Sequence, residues 1–335
     1  MPGRRRRGHL ARLLLLGSLA LSSLFGTACD SPSILDPHGP RADKVADLWW
    51  VTLVIGAIVW LLVVFALVLG AAIRRRATVS RAHDPVWWVV AIGAIVPMLI
   101  LGAVTVYTLR AVTVVAKKGD DSALTVEVTA HQWWWEIRYP QQGVSTANEV
   151  HIPVDEPVRV RLSSDDVIHS FWVPQLQGKM DAIPGRDNEL WIEADTPGEY
   201  RGECAEFCGL QHANMAFVVV AQSRADFDAW AQQESHAAPQ PTDPNVVKGQ
   251  QVFLGSACAY CHTVRGTTAT GNVGPDLTHV ASRSALASGA LPNTRGALAG
   301  WILDPQSSKP NTQMPPTQMS GSDLQALLDY LESLK

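Results

Sequence analysis

Charge is scarce in this sequence. Asp, Glu, Lys and Arg together make up 17% of its 335 residues, and the formal net charge is −4. That balance selects no partner, and no long basic block lies outside the extreme N-terminus, so nucleic-acid binding has no footing. Cysteine is scarce too, with five residues: Cys29, Cys204, Cys208, Cys258 and Cys261. The last four form two short-spaced pairs, each beside a His, which reads as metal or haem chemistry rather than a disulfide framework. No internal repeat is present, so repeat architectures are set aside. What the chain has in quantity is apolar sequence: 47% hydrophobic residues and twelve Trp. The apolar residues gather in three runs before residue 112 and the remainder reads as ordinary globular sequence. The length suggests two or three domains.

Residues 1–29 have the layout of an export signal. Arg4, Arg5, Arg6 and Arg7 form a cationic start, 13–25 a short apolar stretch, and Gly26, Thr27 and Ala28 lead to Cys29. A Cys after small residues is a candidate for lipid modification, although Gly26 stands where Leu is usual. Two longer apolar runs follow, 48–73 and 86–109, each able to cross a hydrocarbon core of roughly 30 Å. They define a hairpin over 45–112. The link between them carries Arg74, Arg75, Arg76 and Arg81, which places it in the cytoplasm and both hairpin ends outside. Trp49, Trp50, Trp87 and Trp88 sit near the span ends, as interfacial rings do.

Beyond the hairpin the pattern changes. Alternating segments at 124–129, 158–162, 190–193 and 216–220, punctuated by Pro, Gly and Asp, predict an all-β sandwich over 120–228. A polar, Pro-containing linker is expected at 229–243. A mostly helical domain fills 244–335, ending in a helix with Leu324, Leu327, Leu328 and Leu331 on one face and Ser322 as its cap. The predicted fold class is therefore multi-domain: a two-helix transmembrane hairpin, an all-β sandwich and an all-α domain.

The sandwich carries Cys204-Ala-Glu206-Phe-Cys208-Gly-Leu-Gln-His212-Ala-Asn-Met215. Two thiolates, an imidazole and a thioether within twelve residues suit copper. A second Cys lets two sulfurs bridge two ions, and such a site needs a second imidazole, offered by His169 in Asp166-Val-Ile-His169-Ser-Phe171. A zinc site and a Cys204–Cys208 disulfide are the alternatives. These motifs resemble subunit II of cytochrome c oxidase. The resemblance extends to the hairpin, to Gly178 through Arg186 and to Gly198 through Gly202, covering about 45–228. It implies a cupredoxin fold with a binuclear copper-A centre: Cys204 and Cys208 bridging, His169 and His212 terminal, Met215 and the Glu206 carbonyl weak ligands. It further implies a Mg or Mn ion held by the Glu206 side chain at the border with the catalytic subunit. Within Ala130-His131-Gln132-Trp133-Trp134-Trp135 it makes Trp133 the electron-entry residue, with Trp134 and Trp135 mainly structural. One departure stands out. Alignment on Pro97 puts Val90 at the family's acidic position in the second span and Gly93 at its Trp position, so proton entry is assigned to no residue.

Cys258-Ala-Tyr-Cys261-His262 is the c-type haem attachment pattern. Two thiols add to the haem vinyl groups and the adjacent imidazole reaches the iron. Lys309-Pro-Asn-Thr-Gln-Met314-Pro-Pro resembles the Met-Pro loop of small class I cytochromes c, making Met314 the second axial ligand with Met319 as its competitor. Gly274-Pro275-Asp276 resembles the loop whose Pro carbonyl orients the proximal imidazole. Gly249 and Phe253 match that fold's first helix, and Leu327, Tyr330 and Leu331 its last. His131, His151, His236 and His279 belong to no motif and are read as surface or core residues.

Together these resemblances imply a caa-type fusion. Electrons from an external donor (a cytochrome c or an upstream complex) would reach haem c, then copper-A, then the catalytic subunit I of a haem-copper oxidase among other oxidase subunits. The chain lacks the multi-span, His-rich core of an oxygen-reducing site. The implied location is a bacterial cell membrane, with both cofactor domains outside. The alternatives are an electron-transfer subunit of a nitrogen-oxide reductase, a free membrane-anchored carrier, and a quinol-oxidase subunit that has lost copper.

Overall fold

The computed structural model describes residues 32–74 and 86–335. The expected export signal with Cys29, and the arginines of the hairpin link beyond Arg74, lie outside the described residues.

Helix α1 spans Pro40–Arg74. The second apolar segment is α2 (Val86–Val90), a five-residue π-helical stretch (Ala91–Ile95) and α3 (Val96–Val115). Pro97 explains the interruption: it has no N–H to donate, and its ring clashes with the carbonyl one turn back. The helices run further than the apolar runs predict at both outer ends. Both segments are strongly apolar, and none of either apolar stretch is buried inside the protein. Trp60, Phe65, Leu67 and Met98 are all more than 60% exposed. A soluble core helix would bury such side chains, so these exposed faces fit a membrane setting, covered by lipid or by a partner's helices. Arg41 fixes the base of α1 to the sandwich, donating to the Lys117 carbonyl (2.9 Å) and lying 3.5 Å from Glu193.

The sandwich comprises β1 (Thr125–His131), β2 (Trp134–Tyr139), β3 (Val144–Ala147), β4 (Glu149–Pro153), β5 (Val158–Ser164), β6 (His169–Trp172), β7 (Met180–Ala182), β8 (Asn188–Ile192), β9 (Gly198–Cys204) and β10 (Ala216–Gln222). One sheet has the order β3-β2-β1-β5-β8, the other β4-β10-β9-β6-β7. Pairing is antiparallel except β1–β5 and β10–β4. Strands β1 and β5 bury every second residue, as expected of sheets with one inner face. The inner faces meet around Trp135, Phe171 and Phe217, whose ring centroids lie 4.3–5.7 Å apart. Trp135 is fully buried, so it is a core residue.

Helix α4 (Arg224–Ser235) follows β10, capped by Ser223. It occupies the first half of the segment expected to be linker, leaving 236–243 as the connection. That connection is hydrogen-bonded to the C-terminal domain. Ala238 N–H donates to the Arg265 carbonyl (3.0 Å), and His279 Nε2 lies 3.1 Å from the His236 carbonyl.

The C-terminal domain has α5 (Pro244–Leu254), α6 (Cys258–Cys261), the short hairpin β11 (Ala285–Leu286) and β12 (Leu291–Pro292), α7 (Arg295–Leu303), α8 (Pro305–Ser308) and α9 (Gly321–Ser333). Asp243 caps α5. Ser320, not Ser322, caps α9, because its hydroxyl reaches the Asp323 N–H. The first and last helices cross at Gly249, where a Cβ would stand 1.9 Å from the Ala326 carbonyl oxygen. Only glycine lets the backbones approach so closely. Phe253 and Tyr330 pack beside the crossing with centroids 5.8 Å apart. Gly249→Ala should therefore cost this domain about 1–3 kcal/mol. Differential scanning calorimetry should show its midpoint lowered by on the order of 10 °C, with the sandwich transition unmoved.

Candidate metal centre and haem crevice

Sheet register builds the first site. Strand β6 pairs with β9 so that Phe171 opposes Cys204, and the Ala205 N–H donates to the Ser170 carbonyl (2.9 Å). His169 and Cys204 are thereby brought side by side. The loop from Cys204 to Ala216 folds back, closed by the Cys204 N–H to the Met215 carbonyl (3.0 Å). It delivers Cys208, His212 and Met215.

The two sulfurs, Cys204 Sγ and Cys208 Sγ, lie 3.7 Å apart, far beyond a disulfide bond, and both cysteines are free. His169 Nδ1 stands 3.8 Å from Cys204 Sγ and His212 Nδ1 3.7 Å from Cys208 Sγ. Met215 Sδ is 3.8 Å from Cys208 Sγ, and the Glu206 carbonyl 3.2 Å from Cys204 Sγ. The donors thus fall into two arms about a central sulfur pair. Among the described residues, His169, Cys204 and Cys208 gather within 4.8 Å of one another, without His212. A single tetrahedral ion would need all four together. Two soft ions sharing the sulfurs fit this donor set.

The electrostatics agree. Hydrogen bonding from Cys208 holds the Cys204 sulfur well below the ordinary thiol range, against the opposing effect of burial. The same contact drives Cys208 upward. Two sulfurs this close share one proton, and a bound cation would displace it. Asp166 Oδ1 lies 2.8 Å from His169 Nε2, which turns Nδ1 toward Cys204. Asp166 also accepts from the Gln132 N–H (2.6 Å). Burial works most strongly against a charged His169, yet contacts with Cys204 and Asp166 raise its pKa overall.

The second site is a cavity with about 1400 Å³ of empty space including its mouth, lined by Phe253, Leu298, Trp301, Ile302 and Leu327. Cys258, Cys261 and His262 stand on its wall, and so does Met314. Met319 instead packs against the domain's apolar core. His262 Nδ1 lies 2.8 Å from the Pro275 carbonyl. Burial lowers the pKa of this imidazole, with the Pro275 contact opposing, so it is neutral and ready to ligate through Nε2. Gly274 abuts the ring: a Cβ there would come within 2.6 Å of His262 Cε1. A large apolar crevice with two thiols, one oriented imidazole and one thioether fits a covalently attached haem.

These features have counterparts in known proteins. Residues 142–222 match the family "Cytochrome C oxidase subunit II, periplasmic domain", and 246–335 match "Cytochrome c". A relative from Alkalihalophilus pseudofirmus, cytochrome c oxidase subunit 2, is 37% identical and covers 95% of this chain and 96% of its own. The chain belongs to the cytochrome c oxidase subunit II family. The Bacillus subtilis cytochrome c oxidase subunit 2 is 31% identical over 97% of this chain and 98% of its own. A quinol oxidase subunit 2 from Bacillus spizizenii is also 31% identical, over 70% of this chain and 75% of its own. The subunit II sandwich and the cytochrome c domain are thus joined in one chain, with two apolar helices ahead of them.

Trp133 joins the two sites. Its indole Nε1 donates to the Cys208 carbonyl (3.0 Å), and Gln132 Nε2 donates to the same oxygen (2.7 Å). Gln132, Trp133, Trp134 and Asn148 all line the haem crevice from the copper-domain side. Trp134 also stacks on His131 at 4.4 Å. Of the histidines outside any motif, His151 stacks on Trp230 at 3.9 Å and His279 is buried. Sequence reasoning missed Ser288 and Lys309 as partners of Trp133, since no local pattern announces a contact across more than 150 residues. Gly274→Ala should displace the His262 ring. With haem attached at Cys258 and Cys261, the expected outcome would be a loss of its low-spin absorption spectrum while the covalent attachment persists.

Proposed function

We propose that this electron-entry subunit of a haem-copper oxidase holds binuclear copper at His169, Cys204, Cys208, His212, Met215 and the Glu206 carbonyl, and haem c at Cys258, Cys261, His262 and Met314. When bound, each group takes and gives one electron at a time. Cys204 and Cys208 would let charge be shared between two metals, and the sandwich would hold the ligands in place as that charge changes. The chain's own residues orient the ligands, exclude water and hold the two sites against each other. The observation that carries this reading is Trp133, bonded to the carbonyl of Cys208 and lining the crevice that contains His262 and Met314. Electrons from a cytochrome c or an upstream complex enter on the cytochrome domain and leave through the copper domain.

The exit side has its own support. Phe207 and Leu210 are 76% and 73% exposed beside the copper loop, with Val167 and Ile168 also exposed. So bare an apolar rim suits a protein partner, and we infer that catalytic subunit I covers it. The Glu206 side chain, exposed on the same rim, would then reach a Mg or Mn ion at that border. The two apolar helices fit a two-span anchor in a bacterial cell membrane, with the sandwich and cytochrome domains on its outer side.

The test is metal and haem content together with oxygen uptake by the affinity-captured complex. Cys208→Ser should lose both coppers and lower oxygen uptake by roughly a hundredfold or more, while one haem c per chain is retained. Retention of two coppers, or unchanged uptake, overturns the copper assignment. Met314→Ala should change the axial ligation spectrum of haem c and Met319→Ala should not. The reverse result would move the ligand to Met319.

A further inference from the structure

The cytochrome domain is seated on the copper domain through a built polar contact. The tip of the β11–β12 hairpin, Ala287-Ser288-Gly289, runs through three successive left-handed residues with φ of 52, 59 and 78°. It enters the copper domain where β1 turns into β2. Ser288, 2% exposed, accepts at its carbonyl from the Ala216 N–H (3.1 Å), next in chain to Met215. Its hydroxyl lies 2.8 Å from the Trp133 carbonyl. Lys309, also 2% exposed, donates through Nζ to the same carbonyl (2.7 Å) and to the Ala287 carbonyl (3.0 Å). Pro310, its neighbour, accepts from Gln211 Nε2 (2.8 Å), one residue before His212. At the edge of the contact Glu149 Oε1 accepts from both the N–H and the hydroxyl of Ser284 (2.6 and 2.7 Å).

Lysine is almost never fully buried unless paired. Among the described residues no carboxylate lies within 4 Å of Lys309 Nζ, and its partners are two backbone carbonyls. Burial pushes its pKa down to about 7. Only the Coulombic attraction of Cys208 works against that burial. A buried amine whose direct partners are neutral carbonyls costs stability, and an apolar residue of similar length would fill the space without that cost. What the amine does here, and an apolar residue could not, is join the Ala287 carbonyl of its own domain to one backbone oxygen across the contact. That oxygen belongs to Trp133. Lys309 also begins the loop that carries Met314, so one side chain ties the Met314 loop to the residue bonded to Cys208.

We propose that Lys309, with Ser288, clamps the Trp133 carbonyl and is the positioning residue that holds the cytochrome domain in its electron-transferring seat. This rests on the functional reading above and deepens it. With the clamp closed, Trp133 is 8% exposed, so a soluble donor has no direct access to it and electrons pass by way of the tethered domain. One electron crosses from the cytochrome domain to the copper domain, and no bond forms or breaks.

The test uses Lys309→Met and Ser288→Ala in the intact oxidase, with two readouts. Hydrogen–deuterium exchange follows the backbone at 132–134 and 284–292. Flash photoreduction of haem c follows electron arrival at copper, with and without added glycerol. In the unaltered chain we expect slow exchange and a single transfer phase insensitive to viscosity. Lys309→Met should speed exchange at both segments, slow transfer by about tenfold or more and make it viscosity-dependent, with the haem c spectrum unchanged; Ser288→Ala should do the same more weakly. Unchanged exchange in Lys309→Met overturns the clamp, and so does an unchanged, viscosity-independent rate. Faster exchange in Lys309→Met, with no haem-to-copper transfer even in the unaltered chain, supports the clamp and contradicts the electron path of the functional reading.

Discussion

The backbone of a single residue, Trp133, is the constraint on which the two cofactor sites depend. Its indole N–H is committed to the Cys208 carbonyl and its own carbonyl to Lys309 and Ser288. Buried polar groups left without partners are costly, so these bonds cannot be given up one at a time without penalty. The Cys204–Met215 loop on one side and the Met314 loop on the other are therefore referenced to the same few atoms. Packing and hydrogen bonds join the two loops, so in the proposed seating the distance between the sites follows from these contacts rather than from the reach of a tether.

The copper-binding set shows how ordinary sheet physics places unusual chemistry. Strand pairing fixes His169 against Cys204, and the loop closing from Cys204 to Met215 brings the remaining donors back over it. Asp166 orients His169 and receives the Gln132 N–H, one residue from Trp133. The sulfur pair is electrostatically unfavourable as two anions, and their contact pulls Cys204 down and pushes Cys208 up. Metal binding would resolve the same conflict more completely, which is the physical reason such a pair is poised for cations.

Much of this was legible in the sequence because the chemistry is local. The Cys204 to Met215 spacing, Cys258-Ala-Tyr-Cys261-His262 and the Met314 loop lie within short windows, where residue type and interval carry the information. The hairpin was visible in its uncharged apolar runs, and the strands β1, β5, β8 and β10 in their alternation. Strands β2, β3, β4, β6, β7 and β9 were not; in β9 alternating positions hold Gly202 and Cys204 rather than large apolar residues, and the cap of α9 fell at Ser320 because the backbone is extended there. The helical character of α4 was hidden by its polar composition, so the segment read as linker. Least legible was the contact between the domains. Glu149 with Ser284, Gln211 with Pro310 and Trp133 with Lys309 join positions far apart in the chain, and no single-sequence pattern encodes such pairs.

The most direct test of fixed seating is the distance between the oxidised copper pair and the oxidised haem c, measured by pulsed electron paramagnetic resonance in the intact complex. A single narrow distance, unchanged by glycerol or ionic strength, is predicted, since the domains are joined by buried hydrogen bonds around Trp133. A broad distribution that shifts with salt or viscosity would contradict it, and would return the cytochrome domain to the role of a mobile, tethered carrier.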